Sequence, residues 1–274
     1  MSLEMATTIE LAQYMGDRMR KTFSRSDLQV DYRQDFVSIT DSDLEISIDV
    51  VDFLGEFGRN VVCQRDRSAE YGNLDAEYLN PIDTTNDFWV GTNRLRPHSI
   101  AAFSLGSVMG GKFERGIANF PLLLRSHLYW GERDFGAYRL SDTTETRLHI
   151  NTTHTEGAIL VSENHHKYVD SLEKSGFQVV SLGGTAFNAC AVVDSELIRM
   201  QAIVPIPEEP IIGFVSDSAQ PHEYAAVAAI MQAAGGIASG IDGQNLRLDV
   251  GNHGCIFANN KLVQRALMDA AKTV

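Results

Sequence analysis

Apolar residues recur at helical spacing over residues 8–23, where Leu11, Met15, Met19 and Phe23 share one stripe and predict an opening helix. A second helix is predicted just after residue 41. Ser42 and Glu45 have the spacing of a capping box, in which side chain and backbone satisfy each other's orphan groups. Leu44, Ile48, Val51 and Leu54 then form the face expected to be buried, and Glu45, Asp49, Asp52 and Glu56 an acidic face expected to meet solvent. From Val61 the period changes. Val61–Cys63, Glu77–Leu79, Ile100–Leu105, Phe113–Phe120, Tyr129–Trp130 and Ala137–Leu140 are short apolar pieces separated by turn residues. With Gly110-Gly111 as a hairpin turn, they predict an antiparallel meander.

The second half alternates strands with helices. Strands are expected at Gly157–Ser162, Gln178–Leu182 and Cys255–Ala258, and helices at His165–Ser175, Thr185–Val192, His222–Ala234 and Lys261–Lys272. Gly235-Gly236 closes the alanine-rich helix before it. Such alternation implies a sheet covered by helices, hence an α/β class. The break near residues 150–156 divides the chain into an N-terminal sub-domain, 1–150, and a C-terminal one, 151–274.

Composition adds exclusions. Hydrophobic residues make up 44% and charged residues 22% of the 274, ordinary values for a globular chain with a sizeable core. The formal charge of −13 argues against nucleic acid or an anionic membrane as a partner, because phosphate backbones require a basic surface. Cys63, Cys190 and Cys255 are far apart and form no CxxC, so neither a disulfide framework nor a zinc site is expected. No apolar run reaches spanning length and no signal segment is visible, so a cytoplasmic location is expected.

The chemistry-bearing segment is Asn80-Pro81-Ile82-Asp83-Thr84-Thr85-Asn86-Asp87-Phe88, which resembles the DPIDGTxNF signature of the inositol monophosphatase superfamily, the Mg²⁺-dependent, Li⁺-sensitive phosphatases. Val37-Ser38-Ile39-Thr40-Asp41 is similar to that family's VTxxD, and Trp130–Ala137 to its aromatic-led hairpin. Ser181–Ala186 is similar to its SLGSAA loop, His222–Ala226 to WDxAA, and Met231–Gly236 to the segment that closes with EAGG. The order and spacing agree from about Leu11 onward. The resemblance implies the five-layer α/β/α/β/α sandwich of the inositol monophosphatase and fructose-bisphosphatase type, and hydrolysis of a small phosphate monoester. It also implies a homodimer.

In that family, carboxylate-held Mg²⁺ ions supply an electrostatic clamp and a more acidic nucleophilic water. Carried over by resemblance, the metal-binding positions are Gln64, Asn80, the Ile82 carbonyl, Asp83 and Glu223, and Asp41 with Thr85 would orient the attacking water. Asp83, Thr84, Thr85, Gly183, Gly184, Thr185 and Glu223 are the implied substrate-side residues, with a helix start receiving the phosphate. The pattern is broken at several of these. Gln64 and Asn80 replace carboxylates, Glu223 replaces a shorter Asp, His222 a Trp, and Thr84 a phosphate-facing Gly. Each lost carboxylate–cation contact is worth ~4 kcal/mol of gross Coulomb energy at an effective dielectric near 20. Tenfold in affinity needs only about 1.4 kcal/mol, so weak or absent Mg²⁺ binding is the expectation.

Alternatives stand beside these assignments. Asp83 and Thr85 also suit a helix start, Glu223 is favoured in a first helical turn by the macrodipole alone, and Gly183-Gly184 also suits a plain turn. Asp66 or Glu70 could supply the missing carboxylate, and Arg65 could oppose a metal or hold a phosphate oxygen. Three functions remain: a weakened Mg²⁺-dependent phosphomonoesterase, a non-catalytic descendant that binds a phosphorylated ligand or a partner protein, and a scaffold that keeps only the dimer surface.

Overall fold

The computed structural model describes residues 1–23, 30–32, 38–63, 72–84, 99–162, 166–199, 208–249 and 253–273. Two helices open the chain, α1 (Leu3–Phe23) and α2 (Asp41–Glu56), with the two-stranded ribbon of β1 (Val30–Tyr32) and β2 (Ser38–Thr40) between them. A seven-stranded sheet follows in sequence order: β3 (Val61–Cys63), β4 (Ala76–Asp83), β5 (Ala102–Met109), β6 (Lys112–Phe120), β7 (His127–Glu132), β8 (Gly136–Ser141) and β9 (Thr144–Leu148). Only β3 and β4 run parallel; every later pair is antiparallel. Gly110 and Gly111 both take positive φ, +55° and +72°, which suits the expected tight turn between β5 and β6.

The second half builds a five-stranded sheet in the order β11-β10-β12-β14-β13. Its strands are β10 (Ala158–Ser162), β11 (Gln178–Leu182), β12 (Ile211–Ala219), β13 (Ile237–Gly240) and β14 (His253–Ala258). Its helices are α3 (Val169–Lys174), α4 (Thr185–Val193), the single-turn α5 (Glu196–Arg199), α6 (Pro221–Ala233) and α7 (Lys261–Lys272). A short 3₁₀ turn at His166–Tyr168 leads into α3, so the helix expected from His165 starts later; His165 itself lies outside the described residues.

Three apolar clusters mark the layers. One joins α1 and α2 to the seven-stranded sheet through Met15, Val50, Leu79 and Trp130. The largest lies between the two sheets and contains α4 and α6, and the third packs α3 and α7 on the far face of the five-stranded sheet. The result is an α/β/α/β/α sandwich, as expected. No helix among the described residues is long and apolar enough to cross a membrane. The three cysteines are free and buried.

Helix α6 is seated unusually close to the larger sheet. Gly106, Gly116, Gly131 and Ala137 face one another in register across four strands. A Cβ added at Gly106 would lie 2.6 Å from the Ala225 carbonyl carbon, at Gly116 2.7 Å from that of Ala226, and at Gly131 2.6 Å from Ile230 Cα. The strands can approach the helix backbone only because these side chains are missing. This trough fixes where the N-terminus of α6 ends, and so where Glu223 sits.

Helix α2 departs from expectation. Its N-cap is Thr40, whose hydroxyl accepts the Asp43 N–H (3.3 Å), while the Asp43 carboxylate accepts the Thr40 N–H (2.8 Å) and hydroxyl (2.7 Å). The capping box is therefore Thr40–Asp43 and not Ser42–Glu45, because β2 runs straight into the helix and its last residue makes the cap. With Asp43 buried, the face turned inward is Asp43, Ile46, Ser47, Val50 and Leu54. Leu44, Ile48 and Val51, expected in the core, remain 43%, 51% and 41% exposed.

Candidate functional site

Strand β4 is buried along its whole length and ends at Asp83. Its pairing with β5 slips between Asn80 and Asp83: Asn80 faces Ser104 and Asp83 faces Ala102, so β4 carries one extra residue. Pro81, without an N–H to give to the ladder, lies inside this bulge. In a regular strand, residues three apart point to opposite faces; the extra residue turns both side chains to the same side. Asn80 Nδ2 accordingly donates to Asp83 Oδ1 at 3.1 Å.

The other oxygen of Asp83 reaches the second half of the chain. The backbone N–H of Ala186, in the first turn of α4, donates to Asp83 Oδ2 at 2.9 Å. Gly184 sits before that helix at φ +83°, where a Cβ would stand 3.1 Å from Asp83 Oδ2 and collide with Thr84 Oγ1. Only glycine suits both the conformation and the space. Asn188 Nδ2 donates to the Leu182 carbonyl at 2.9 Å and so ties the loop that carries Gly183 and Gly184. Thr84 adopts φ +65°, rare for a β-branched residue, and among the described residues its buried hydroxyl has no hydrogen-bond partner.

Glu223 comes from the start of α6. Its carboxylate folds back to accept the Gln220 N–H at 2.6 Å, the capping role that its position allowed. Asp83 and Glu223 are close enough to interact: burial chiefly, with Asp83's charge second, pushes Glu223 up to about 7. Burial likewise raises Asp83 to about 6 against the hydrogen bonds from Ala186, Asn80 and Thr84. Cys255 and Cys190 complete the surroundings: burial and then the charge of Glu223 raise the Cys255 thiol, and burial and then the charges of Asp194 and Asp83 raise that of Cys190. His222, fully buried beside Glu223, is driven down to about 3 by desolvation and is a neutral imidazole.

Asn80, Asp83, Thr84, Gly184, the start of α4 and Glu223 thus come together, although Asp83 and Glu223 lie on opposite sides of the chain's midpoint. The Ile82 residue is buried within the same bulge. Thr185 opens α4 and is buried. Asp41 is exposed at the first position of α2, and no hydrogen bond links it to Asp83 or Glu223. Gln64, Arg65, Asp66, Glu70 and Thr85 lie outside the described residues; β3 ends at Cys63, which pairs with Leu79 beside Asn80. Sequence reasoning missed Ala186 and Asn188, because a backbone donor and a loop-tying amide carry no signature of their own.

Hard cations need several free oxygen ligands in near-octahedral array. Both oxygens of Asp83 already accept N–H groups, and Asn80 turns its amide nitrogen toward Asp83; the reverse orientation would set its oxygen against the carboxylate. Among the described residues no group of three or more His, Cys, Asp or Glu side chains could hold a metal ion. The described residues do not fit the two-ion cage.

Residues 2–274 match the model of the inositol monophosphatase family. No curated protein matches the chain in sequence. Among solved structures, the extragenic suppressor protein suhB of Bartonella henselae is similar at TM-score 0.76 and 18% identity, covering 99% of both chains. An IMPase from Thermotoga maritima is similar at TM-score 0.76 and 20% identity, over 98% of this chain and 97% of that one. A third, an IMPase/NADP phosphatase complexed with Mg²⁺ and phosphate, is similar at TM-score 0.76 and 13% identity, over 98% and 95%. At these identities the structural likeness speaks for the fold.

Proposed function

The chain belongs to the inositol monophosphatase family, and we propose that it is a phosphate-ester-binding member whose Mg²⁺-dependent hydrolysis of a small phosphate monoester is weakened. The observation that carries this reading is the Asn80–Asp83 hydrogen bond. At the position where the family keeps a second carboxylate, a neutral amide donates to the one that remains. An N–H does for Asp83 what a cation would otherwise do, without adding positive charge for a phosphate or a nucleophilic water.

The ligand class follows from the family and from the N–H-rich start of α4. Gly183, Gly184 and Thr185, with Thr84 opposite them, form the phosphate side in this reading, and Asp41 and Thr85 are assigned to the water. The homodimer implied by the family and a cytoplasmic location belong to the same reading. A panel of inositol phosphates, sugar bisphosphates and adenosine bisphosphates, assayed with Mg²⁺ and Mn²⁺, tests it. Slow turnover with saturable binding is expected; turnover at the pace of an ordinary phosphatase would contradict it.

A second reading is favoured by the same hydrogen bond together with Glu223's capping role, since both remaining carboxylates are already engaged. In it, the cleft binds a phosphorylated ligand and hydrolyses nothing. Binding with no turnover under either metal separates this reading from the first.

A further inference from the structure

Helix α2 is apolar on two faces, and among the described residues only one of them is covered. The inward face carries Ile46, Val50 and Leu54. Leu44, Ile48 and Val51 follow one another at intervals of four and three residues on the outside, the spacing of a coiled-coil seam. The next seam position is Gly55, above which a Cβ would meet nothing within 4 Å, so another backbone could approach closely there. An exposed apolar residue alone is unremarkable, but three in a row on one helical seam form a patch of the kind that marks interaction surfaces.

The charges beside the seam select the occupant. Glu45, Asp52 and Glu56 are exposed along one flank, and Asp41 is exposed at the N-terminal end. Arg18 of α1 approaches Glu45 (3.4 Å) and Asp49 (2.7 Å) from the side. Asp52 and Glu56 hold no ion pair among the described residues. Two copies of this helix meeting antiparallel about a two-fold axis would set acidic flank against acidic flank, which disfavours that self-pairing. The chain's formal charge of −13 points the same way, toward a cationic partner drawn in by long-range attraction. We propose that the Leu44–Ile48–Val51 seam of α2 docks an amphipathic helix of a partner protein, apolar on one stripe and flanked by Lys or Arg.

The mode is helix against helix, with the apolar stripe giving affinity and the flanks giving choice of partner. It is independent of the cleft chemistry. The test uses the full chain and three labelled synthetic helical peptides of about three heptads each. One has Leu and Ile on the seam with Lys flanks, one has the same seam with Glu flanks, and one has the first peptide's composition scrambled. Fluorescence anisotropy should show saturable binding of the first alone, weakening as salt is added. Ile48→Lys should weaken it at least tenfold while leaving thermal unfolding unchanged, since the side chain is exposed. Glu45→Lys with Asp52→Lys, which leaves two acidic groups against two basic ones beside the seam, should abolish the preference for the Lys-flanked peptide over the Glu-flanked one. Equal binding of the scrambled peptide, or indifference to both variants, would overturn the proposal. So would a dimer in light scattering that Ile48→Lys dissolves, because the seam would then belong to a second copy.

Discussion

Asn80 and Asp83, three residues apart on one strand, point to the same side and are joined by a 3.1 Å hydrogen bond across a bulge. That contact is where the fold and the chemistry of the candidate site meet. The bulge is a backbone feature, whereas the identity of the donor decides whether Asp83 faces a cation or an amide.

The contact of Gly184 with Thr84 predicts a non-additive pair. Gly184→Ala forces a side chain into φ +83° and against Thr84 Oγ1, and should cost about 2–3 kcal/mol in denaturant unfolding. Thr84→Gly alone should stabilise by about 0.5–1 kcal/mol, because it relieves a β-branched residue at φ +65°. In the double variant the cost of Gly184→Ala should fall, leaving the dihedral strain and the Asp83 contact. Simple additivity would mean that the two residues do not touch.

Two groups of buried side chains give opposite dependences on pH. His222, held at about 3, and His127, lowered first by burial, both lie below the ordinary value of 6.5. Between these values the unfolded chain binds more protons than the folded one, so their contribution is complete above pH 6.5 and is lost as the pH falls. Asp83 and Glu223, raised to about 6 and 7, act the other way. Their buried ionisation costs nothing below about pH 4 and its full amount above about pH 7, so stability declines as the pH rises between. His127→Phe should flatten the acid limb. Asp83→Asn should gain on the parent steadily from pH 4 to pH 7; a gap that narrows instead would show that Asp83 is not buried as described.

Glycines that look alike in the sequence should behave differently. Gly116→Ala drives a methyl group into the backbone of α6 and should cost about 3 kcal/mol or more in chemical denaturation. Gly55→Ala, in the open on α2, should stabilise by about 0.5–1 kcal/mol. Equal effects would contradict the close seating of α6.

Much of the layered fold was readable from periodicity and turn residues. β11 and α7 begin and end where the pattern changes, and Gly110-Gly111 marks its hairpin. In α2 what failed was rotation, not element type: the helix carries two apolar stripes, and spacing alone cannot say which one meets the sheet. β12 was missed because Ile211–Val215 is apolar throughout, without alternation, as suits a strand buried on both faces. β13, half-buried and only Ile237–Gly240 long, offers too few positions to show a period. The meeting of Asp83 and Glu223 is not written in any local pattern, and only the resemblance of their motifs to a family suggested it. Thr84's dihedral and the Ala186 donor belong to the tertiary structure alone.

If a neutral amide at residue 80 makes the Asp83 site a poor one for Mg²⁺, as proposed, titration calorimetry with Mg²⁺ will show it. The parent protein should bind at most one ion, and weakly, at millimolar concentration. Gln64→Glu with Asn80→Asp, which restores carboxylates where the family has them, should tighten binding at least tenfold, about 1.4 kcal/mol or more. Tight binding of two Mg²⁺ ions by the unaltered protein would contradict the account.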